Sequence, residues 1–233
     1  TTATDMSGLG NTGTLTNGAV ITTTGRFGNA CQFDGVNDYV SVPDNNSLDM
    51  TTDISIEAWI YLNNLAATGT IVFKGNNSYA LGVYTTGRLS WGKAAVDELQ
   101  SVLALSAGQW YHIVATRTGG LNYIYINGAL DTSAAKINFD NTANPVELGG
   151  RSSATYLLNG LIDEVRIYNR ALSANEIALR YNANAPKVKG DYSDVRFTND
   201  SGTTEYSYWQ ETDQRFWVKC PSLGTGDTGI RMY

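Results

Sequence analysis

The clearest pattern in the chain lies at residues 160–182, where strand periodicity runs into the start of a helix. Residues 161–168 read Leu-Ile-Asp-Glu-Val-Arg-Ile-Tyr, and a strand period of two places alternate side chains on opposite faces. One predicted face carries Leu161, Asp163, Val165 and Ile167. Ser173 precedes Glu176 at the spacing at which hydroxyl and carboxylate cap each other's backbone N–H groups. The segment therefore predicts a strand and then a short helix that ends near Asn182.

Other short strand patterns recur along the chain at intervals of roughly ten residues. Hairpin-type turn signals stand between them at Asp34-Gly35, Gly119-Gly120 and Asn127-Gly128. Strands at this regular spacing are typical of an antiparallel β-sandwich and not of alternating strands and helices. The pattern predicts an all-β chain whose one convincing helix is the one at residues 173–182.

Composition narrows the classes of partner. Charged residues make up 16% of the chain, and 16 Lys and Arg stand against 22 Asp and Glu, which gives a net charge of −6. The chain has no run of basic residues that could contact a phosphate backbone, so nucleic acid is not expected as a partner. No segment reaches the roughly 18 apolar residues of a membrane span, and residues 1–20 are too polar for a signal peptide. Because the sequence opens on Thr1, we expect a processed or excised form.

Three upstream segments carry a resemblance to a known family. They are residues 27–40 (FGNACQFDGVNDYV), residues 54–60 (ISIEAWI), and residues 110–128, which begin WYHIVA and end YIYING. Together with the closing strand and helix, they resemble the laminin G-like, concanavalin A-type jelly-roll modules of extracellular proteins. The resemblance covers residues 3–182. It implies an antiparallel concanavalin A-like jelly-roll sandwich with one short C-terminal helix, located outside the cell or on its surface.

The strand pattern breaks at Ala185-Pro186-Lys187, and a second unit follows. Residues 191–233 resemble a β-rich domain of unknown function that accompanies laminin G-like modules in bacterial and archaeal surface proteins. We therefore predict a sandwich at 1–183, a linker at 184–190 and a small β-rich unit at 191–233, in a prokaryotic protein. The second unit is expected to be partial, since it stops within a strand pattern. The first is expected to lack an edge strand with which family members begin.

Catalysis is not expected. Concanavalin A-type glucanases, which the sandwich resembles, use two carboxylates two or four residues apart on one strand, so that both face the substrate. Asp163 and Glu164 are adjacent and point to opposite faces, while Asp97-Glu98 fall in a predicted loop. The chain's single histidine, His112, lies on a predicted strand without a Gly-x-Ser-x-Gly motif to complete a triad. We expect His112 to be a packed strand residue and the protein not to be an enzyme.

Calcium is the cofactor that the resemblance implies. Modules of this kind often bind it through an Asp-Gly-x-x-Asp turn and the aspartate of the closing strand, which correspond here to Asp34, Asn37, Asp38 and Asp163. Asp5, in the polar loop at residues 5–11, is a further candidate ligand, although Leu9 departs from the asparagine common in that loop. Carboxylate and amide oxygens suit a hard cation. The alternative is that these side chains only cap turns.

Four aromatic side chains could stack on sugar rings if they are exposed, and these are Tyr79, Tyr84, Trp91 and Tyr156. The alternative is that they fill the core of a large sandwich. The two cysteines, Cys31 and Cys220, also leave two interpretations. Each shares a strand face with apolar neighbours, so they are either two separate buried thiols or a bridge between units or subunits.

Two functions follow from these expectations. The first is a structural subunit of a filament-like assembly, in which copies of the chain complete each other's sheets head to tail by strand addition. Residues 186–233 would be the donating unit. The alternative is a carbohydrate-binding or adhesion module of a secreted protein, which the family resemblance favours.

Overall fold

The computed structural model describes residues 1–94 and 96–183, together with the backbone of four short strands between residues 197 and 232. The chain divides into two compact units, residues 1–181 and 182–233. The predicted linker at 184–190 and Cys220 lie outside the described residues. The second unit contains four strands in the antiparallel order β18-β17-β16-β19. These are β16 (Phe197–Asn199), β17 (Glu205–Gln210), β18 (Phe216–Lys219) and β19 (Ile230–Met232).

The first unit is a sandwich of two antiparallel sheets. In chain order its strands are β1 (Thr2–Ala3), β2 (Gly13–Thr16), β3 (Val20–Thr22), β4 (Ala30–Asp34), β5 (Tyr39–Val42), β6 (Ile54–Leu62), β7 (Gly69–Phe73), β8 (Ala80–Val83), β9 (Arg88–Lys93), β10 (Asp97–Ala104), β11 (Trp110–Thr118), β12 (Leu121–Ile126), β13 (Ala129–Ala135), β14 (Val146–Leu148) and β15 (Asn159–Tyr168). A 3-10 turn spans Asn46–Leu48, and helix α1 spans Ala174–Ala183. The predicted all-β antiparallel sandwich with one short helix is confirmed.

The two sheets differ in size and share one core. One is eight-stranded in the order β1-β2-β5-β14-β7-β8-β9-β10, and the other is seven-stranded in the order β13-β12-β11-β6-β15-β4-β3. One edge strand of the eight-stranded sheet, β1, pairs with β2. Apolar side chains from both sheets meet between them, among them Ile56, Leu81, Trp91 and Ile113. Burial of these side chains stabilises the sandwich by about 1.5–3 kcal/mol each.

Two of the predicted hairpin turns have the backbone that their residues favour. Asn127 and Gly128 have φ of 51° and 80°, and Gly119 and Gly120 have φ of 56° and 80°. Positive φ at both central residues gives a turn whose twist matches that of the flanking strands. These turns join β11 to β12 and β12 to β13, and so fix the register of one edge of the seven-stranded sheet.

The closing strand departs from the predicted alternation at one position. Glu164 has φ of 53°, and the pairing of β15 with β6 shifts register between Asp163 and Arg166. Ile162 before this bulge and Val165 after it both pack on the core. The prediction that Leu161, Asp163, Val165 and Ile167 share one face is therefore wrong, because an extra residue in a strand reverses the alternation beyond it.

Helix α1 begins where the capping motif predicted. The backbone N–H of Glu176 donates to Ser173 Oγ at 3.2 Å, and the N–H of Ser173 donates to Glu176 Oε2 at 2.9 Å. Ile177 and the preceding Leu172 pack against Val114 and Tyr125 of the seven-stranded sheet in a cluster separate from the main core. The helix thus covers part of that sheet's outer face.

A buried carboxylate ties the helix to the sheet beneath it. Glu57 on β6 lies 3.0 Å from His112 Nε2, accepts a hydrogen bond from the Tyr168 hydroxyl at 2.8 Å, and meets Arg180 of α1 at 3.4 Å. Burial alone would raise the pKa of Glu57, but the hydrogen bonds from His112 and Tyr168 and the charge of Arg180 outweigh it and lower the pKa. His112 is buried on β11, as expected.

We expect Glu57→Gln to lower the free energy of unfolding at pH 7 by about 2–3 kcal/mol, because an amide removes the ion pair and keeps only one acceptor oxygen. Since the folded-state pKa of Glu57 lies below its ordinary value of about 4.3, the carboxylate stabilises the fold above that pH. Its contribution is lost as the pH falls through the folded pKa. Denaturant unfolding from pH 7 to pH 3 should show the difference between wild type and variant shrinking.

Glu164→Gln is the matched control, since Glu164 lies on the same sheet in a partly exposed ion pair with Arg166. It should cost less than about 1 kcal/mol. A Glu57→Gln variant as stable as the wild type at pH 7, or a difference that does not change with pH, would contradict the role given to Glu57.

Candidate binding cleft

The outer face of the eight-stranded sheet carries a cleft of about 710 Å³. Side-chain alternation explains which residues line it. Leu81, Leu89, Trp91, Leu99 and Val146 point into the core. Their neighbours along the strands therefore face outward, and the small residues Ala80, Gly82 and Ser90 form the cleft floor. A floor without bulky side chains leaves room for a ligand between higher walls.

One wall is formed by Tyr84 and Glu98. The Tyr84 hydroxyl donates a hydrogen bond to Glu98 Oε2. Burial and this hydrogen bond to Glu98 raise the pKa of Tyr84 to about 12. Tyr84 is therefore protonated at neutral pH and holds the Glu98 carboxylate in a fixed position beside the cleft.

The loop at residues 149–156 forms another part of the cleft wall. Ala154 and Tyr156 both have φ of 53°, a left-handed conformation that non-glycine residues adopt at a cost. The Thr70 N–H donates to the Tyr156 carbonyl at 2.7 Å and anchors the loop on β7. As a result the Tyr156 ring stands at the cleft with 45% of the residue exposed.

Arg151 lies between two aromatic rings in this wall. Its guanidinium carbon is 3.8 Å from the centre of the Phe73 ring and 4.1 Å from that of Tyr156. Its Nε lies 3.4 Å from Thr70 Oγ1. Burial lowers the pKa of Arg151, and the neighbouring Tyr156, Glu98 and Glu147 oppose that change. An arginine remains charged under such conditions, so the cleft holds a cation stacked in a fixed plane.

Glu147 completes the set of charged groups. It is buried on β14, and its Oε1 accepts a hydrogen bond from the Ser152 N–H at 3.0 Å. The cleft therefore combines carboxylate acceptors at Glu98 and Glu147, a donor fork at Arg151 and an exposed aromatic face at Tyr156. A few fixed polar groups beside an aromatic surface are what a ligand rich in hydroxyls requires.

Of the four aromatic candidates, two line the cleft and two lie in the core. Tyr84 and Tyr156 line the cleft. Tyr79 and Trp91 are fully buried. Their polar atoms are bonded inside the protein, Tyr79 Oη to the Leu48 carbonyl and Trp91 Nε1 to the Thr116 carbonyl, each at 3.0 Å. The core interpretation holds for these two, because each sits on or beside a strand whose alternation turns it inward.

The prediction that Asp97 and Glu98 lie in a loop is wrong. These residues begin β10, where Glu98 pairs with Gly92 of β9. Aspartate and glutamate are poor strand formers in isolation, and cross-strand pairing overrides that preference here. Glu147 and Arg151 were not identified from the sequence at all. The signal that could have found Glu147 is the Val-Glu-Leu alternation of β14.

The two cleft glutamates do not form the same-strand pair of a glucanase. Glu98 is on β10 and Glu147 on β14, with β7, β8 and β9 between them. Four strand spacings of about 4.8 Å place their backbones roughly 19 Å apart.

Three of the predicted calcium ligands, Asp34, Asn37 and Asp38, share one turn. The Asp34 N–H donates to Asp38 Oδ2 at 3.0 Å, and the Gly18 N–H donates to Asp38 Oδ1 at 2.6 Å. The Asn37 carbonyl accepts from the Asn17 side chain at 2.7 Å. Both oxygens of Asp38 thus accept backbone N–H groups, which is the turn-capping arrangement.

The remaining predicted ligands lie elsewhere. Asp163 accepts from the Phe27 N–H at 2.8 Å and the Glu164 N–H at 2.7 Å. It lies near Cys31, at the opposite end of β4 from Asp34. Asp5 accepts from Ser7 and Asn11 within its own loop. Over the described part of the chain, no three His, Cys, Asp or Glu residues gather into a metal-binding group. The turn that contains Asp38 and the side chain of Asp163 thus lie at opposite ends of β4.

Cys31 is a free, half-buried thiol. Burial, with the charge of Asp163, raises its pKa to about 11, so it is protonated at neutral pH. The predicted alternative, a bridge to Cys220, involves a residue outside the described ones. Within the described ranges, no helix has the length and apolar character needed to cross a membrane.

Comparison of the fold with solved structures finds several binding domains. The binding domain of Paraclostridial Mosquitocidal Protein 1 matches with a TM-score of 0.66 at 19% identity, over 84% of this chain and 55% of that one. Domain 4 of AbnA, an extracellular arabinanase from Geobacillus stearothermophilus, matches with a TM-score of 0.57 at 22% identity, over 71% of this chain and 86% of that one, in a structure with arabinotriose. The botulinum neurotoxin DC binding domain, in complex with SialylT, matches with a TM-score of 0.61 at 17% identity, over 84% and 54%.

These likenesses show the fold, since every identity is below 25%. The chain spans a little over half the length of the two toxin binding domains. No curated protein sequence matches it. The family model of the concanavalin A-like lectin/glucanases superfamily, of laminin G type, matches residues 34–178. Because that match covers more than half of the sequence, the chain belongs to the concanavalin A-like lectin/glucanase superfamily.

Proposed function

We propose that the chain is a non-catalytic binding module that holds a carbohydrate in the cleft on the eight-stranded sheet. The observation that carries this proposal is the combination of the exposed Tyr156 ring with the fixed polar groups of Glu98, Glu147 and Arg151. An aromatic ring can stack on the apolar face of a sugar. Carboxylates accept hydrogen bonds from hydroxyls, and a guanidinium donates to them.

The relatives support a binding module more than a filament subunit. One is an arabinanase domain in complex with arabinotriose, and another is a neurotoxin binding domain in complex with SialylT. A further structure has a neurotoxin binding domain in complex with rat synaptotagmin II. Carbohydrates and proteins are therefore both bound by this fold. The extracellular arabinanase also supports the proposal that this chain acts outside the cell or on its surface.

Absence of hydrolysis is part of the proposal. Glycoside hydrolysis requires two carboxyl groups on either side of one bond, about 5–5.5 Å apart in retaining enzymes and about 6.5–9.5 Å apart in inverting ones. Glu98 and Glu147 lie on strands separated by three others. Each is also held by a donor from the protein, Tyr84 and the Ser152 N–H. This arrangement suits binding, in which the carboxylates stay in place.

We expect the protein to bind at least one neutral polysaccharide among linear arabinan, galactan and β-glucan, without releasing reducing ends from it. Tyr156→Ala should weaken that binding about tenfold or more, because a lost stacking contact of about 1.4 kcal/mol corresponds to that factor. Affinity electrophoresis and calorimetry measure the binding, and a reducing-sugar assay checks for hydrolysis.

Tyr61→Ala is the matched control, since Tyr61 is a half-buried tyrosine on β6 of the other sheet, packed on Trp110. It should bind as the wild type does. Equal losses in the two variants, or no binding to any of these polymers, would contradict the assignment of the cleft.

Calcium binding stays a prediction from the family resemblance. The oxygens of Asp38 and Asp163 already accept N–H groups. If they also hold calcium, excess calcium should raise the unfolding midpoint relative to excess chelator, and midpoints within about 1 °C of each other would contradict the prediction. Differential scanning calorimetry measures this. A ligand that binds only the folded state raises the midpoint. A rise above about 3 °C, near 1 kcal/mol for a domain of this size, would establish a site, and Asp38→Asn should then abolish the rise.

Assembly by strand addition also stays a prediction, and the binding-module proposal gives the opposite expectation. A binding module should remain monodisperse and monomeric in light scattering at high concentration, with or without calcium. Growth of the scattering mass with concentration, abolished by removal of residues 186–233, would support the filament-like assembly instead.

A further inference from the structure

We propose that the cleft selects uncharged glycans and disfavours glycans that carry uronic or sialic carboxylates. This inference rests on the proposed function and adds the chemical class of the ligand. It follows from the charges that line the cleft, from the way each is held, and from the donors that remain unused.

The charges in the cleft favour an uncharged ligand. Among the described residues that line it, the charged side chains are Glu98, Glu147 and Arg151. Two negative charges against one positive charge leave the cleft net negative, within a chain of net charge −6. A ligand carboxylate that entered the cleft would be attracted by Arg151 and repelled by both glutamates. Like charges brought together in a partly desolvated site are strongly unfavourable.

The glutamates cannot readily move away from such a ligand. Tyr84 holds one oxygen of Glu98, and the Ser152 N–H holds one oxygen of Glu147. Glu147 is only 4% exposed, so it has little room to swing into solvent. The Glu147 oxygen that the Ser152 N–H does not contact suits a hydroxyl group of a neutral sugar.

Arg151 supplies the complementary donors. Its Nε lies near Thr70 Oγ1, and neither of its terminal nitrogens donates a hydrogen bond to a described residue. The rings of Phe73 and Tyr156 fix its plane. The terminal nitrogens are therefore available to the ring and hydroxyl oxygens of a sugar, in an orientation that needs no reordering on binding.

Matched polymers separate charge from shape. Galactan and β-glucan, whose hexose units carry free primary hydroxyls, should each be compared with the same polymer after oxidation of those hydroxyls to carboxylates. In 20 mM salt we expect the oxidised form of the bound polymer to bind about tenfold more weakly or worse. Because salt screens charge repulsion between exposed groups, the difference should narrow in 500 mM salt, while binding of the neutral form stays within about twofold.

Three variants in the cleft and one control outside it assign the effect to residues. In Glu98→Gln and Glu147→Gln the new amide keeps an acceptor oxygen for Tyr84 and Ser152. Each substitution should narrow the difference in affinity between the neutral and oxidised polymers. Glu164→Gln makes the same charge change on the other sheet and should leave it unchanged. Arg151→Gln removes the one cation, so it should weaken neutral binding and widen the difference. A purely structural role for Arg151 would instead weaken both forms equally.

The outcomes are separable. Oxidised polymer that binds as tightly as the neutral form, or more tightly, would overturn the selectivity and leave the carbohydrate-binding function standing, with Arg151 as a carboxylate clamp. Failure of every polymer, neutral and oxidised, to bind would overturn the proposed function and this inference with it. A third outcome is that Glu98→Gln and Glu147→Gln change the difference in affinity between neutral and oxidised polymer no more than Glu164→Gln does. That result would show that charges outside the cleft cause the difference.

Discussion

The alternation of side chains along paired strands is the constraint on which both the core and the cleft depend. Leu89 and Trp91 must point inward to fill the space between the sheets, and Ser90 between them must then point outward. Because neighbouring strands are paired in register, outward residues of five strands gather on one surface. The cleft is therefore a consequence of how the core is filled.

The outer faces of the two sheets carry different features. The seven-stranded sheet carries helix α1, and the buried Glu57 is offset there by His112, Tyr168 and Arg180. The eight-stranded sheet carries small side chains at the centre of its outer face and the strained loop with Tyr156 at the rim. One face therefore contributes stability, while the other keeps a cavity with fixed polar groups. Strain in a loop is tolerated where the surrounding structure holds it, and such loops often occur at binding sites.

Features encoded within a few residues could be predicted from the sequence. The sandwich, the glycine-containing hairpin turns and the helix start at Ser173 each depend on local periodicity or capping. The bulge at Glu164 could not be predicted, because its cause is the pairing of β15 with β6. The cleft was missed for the same reason. Glu98, Glu147 and Arg151 are separated along the chain, and only the strand order β14-β7-β8-β9-β10 brings them to one surface. Of the predicted calcium ligands, Asp34 and Asp163 lie at opposite ends of β4, a separation that follows from strand pairing and not from local sequence.

The central claim is that a carbohydrate binds on the outer face of the eight-stranded sheet. Two-dimensional NMR of the backbone amides during titration with an oligosaccharide of the polymer that binds tests this most directly. The account predicts chemical-shift changes concentrated at residues 68–76, 80–84, 96–98 and 144–156, with none beyond the noise around Glu57 or in the turn from Asp34 to Asp38. Changes centred on that turn, on helix α1 or on the edge strands β3 and β13 would contradict it.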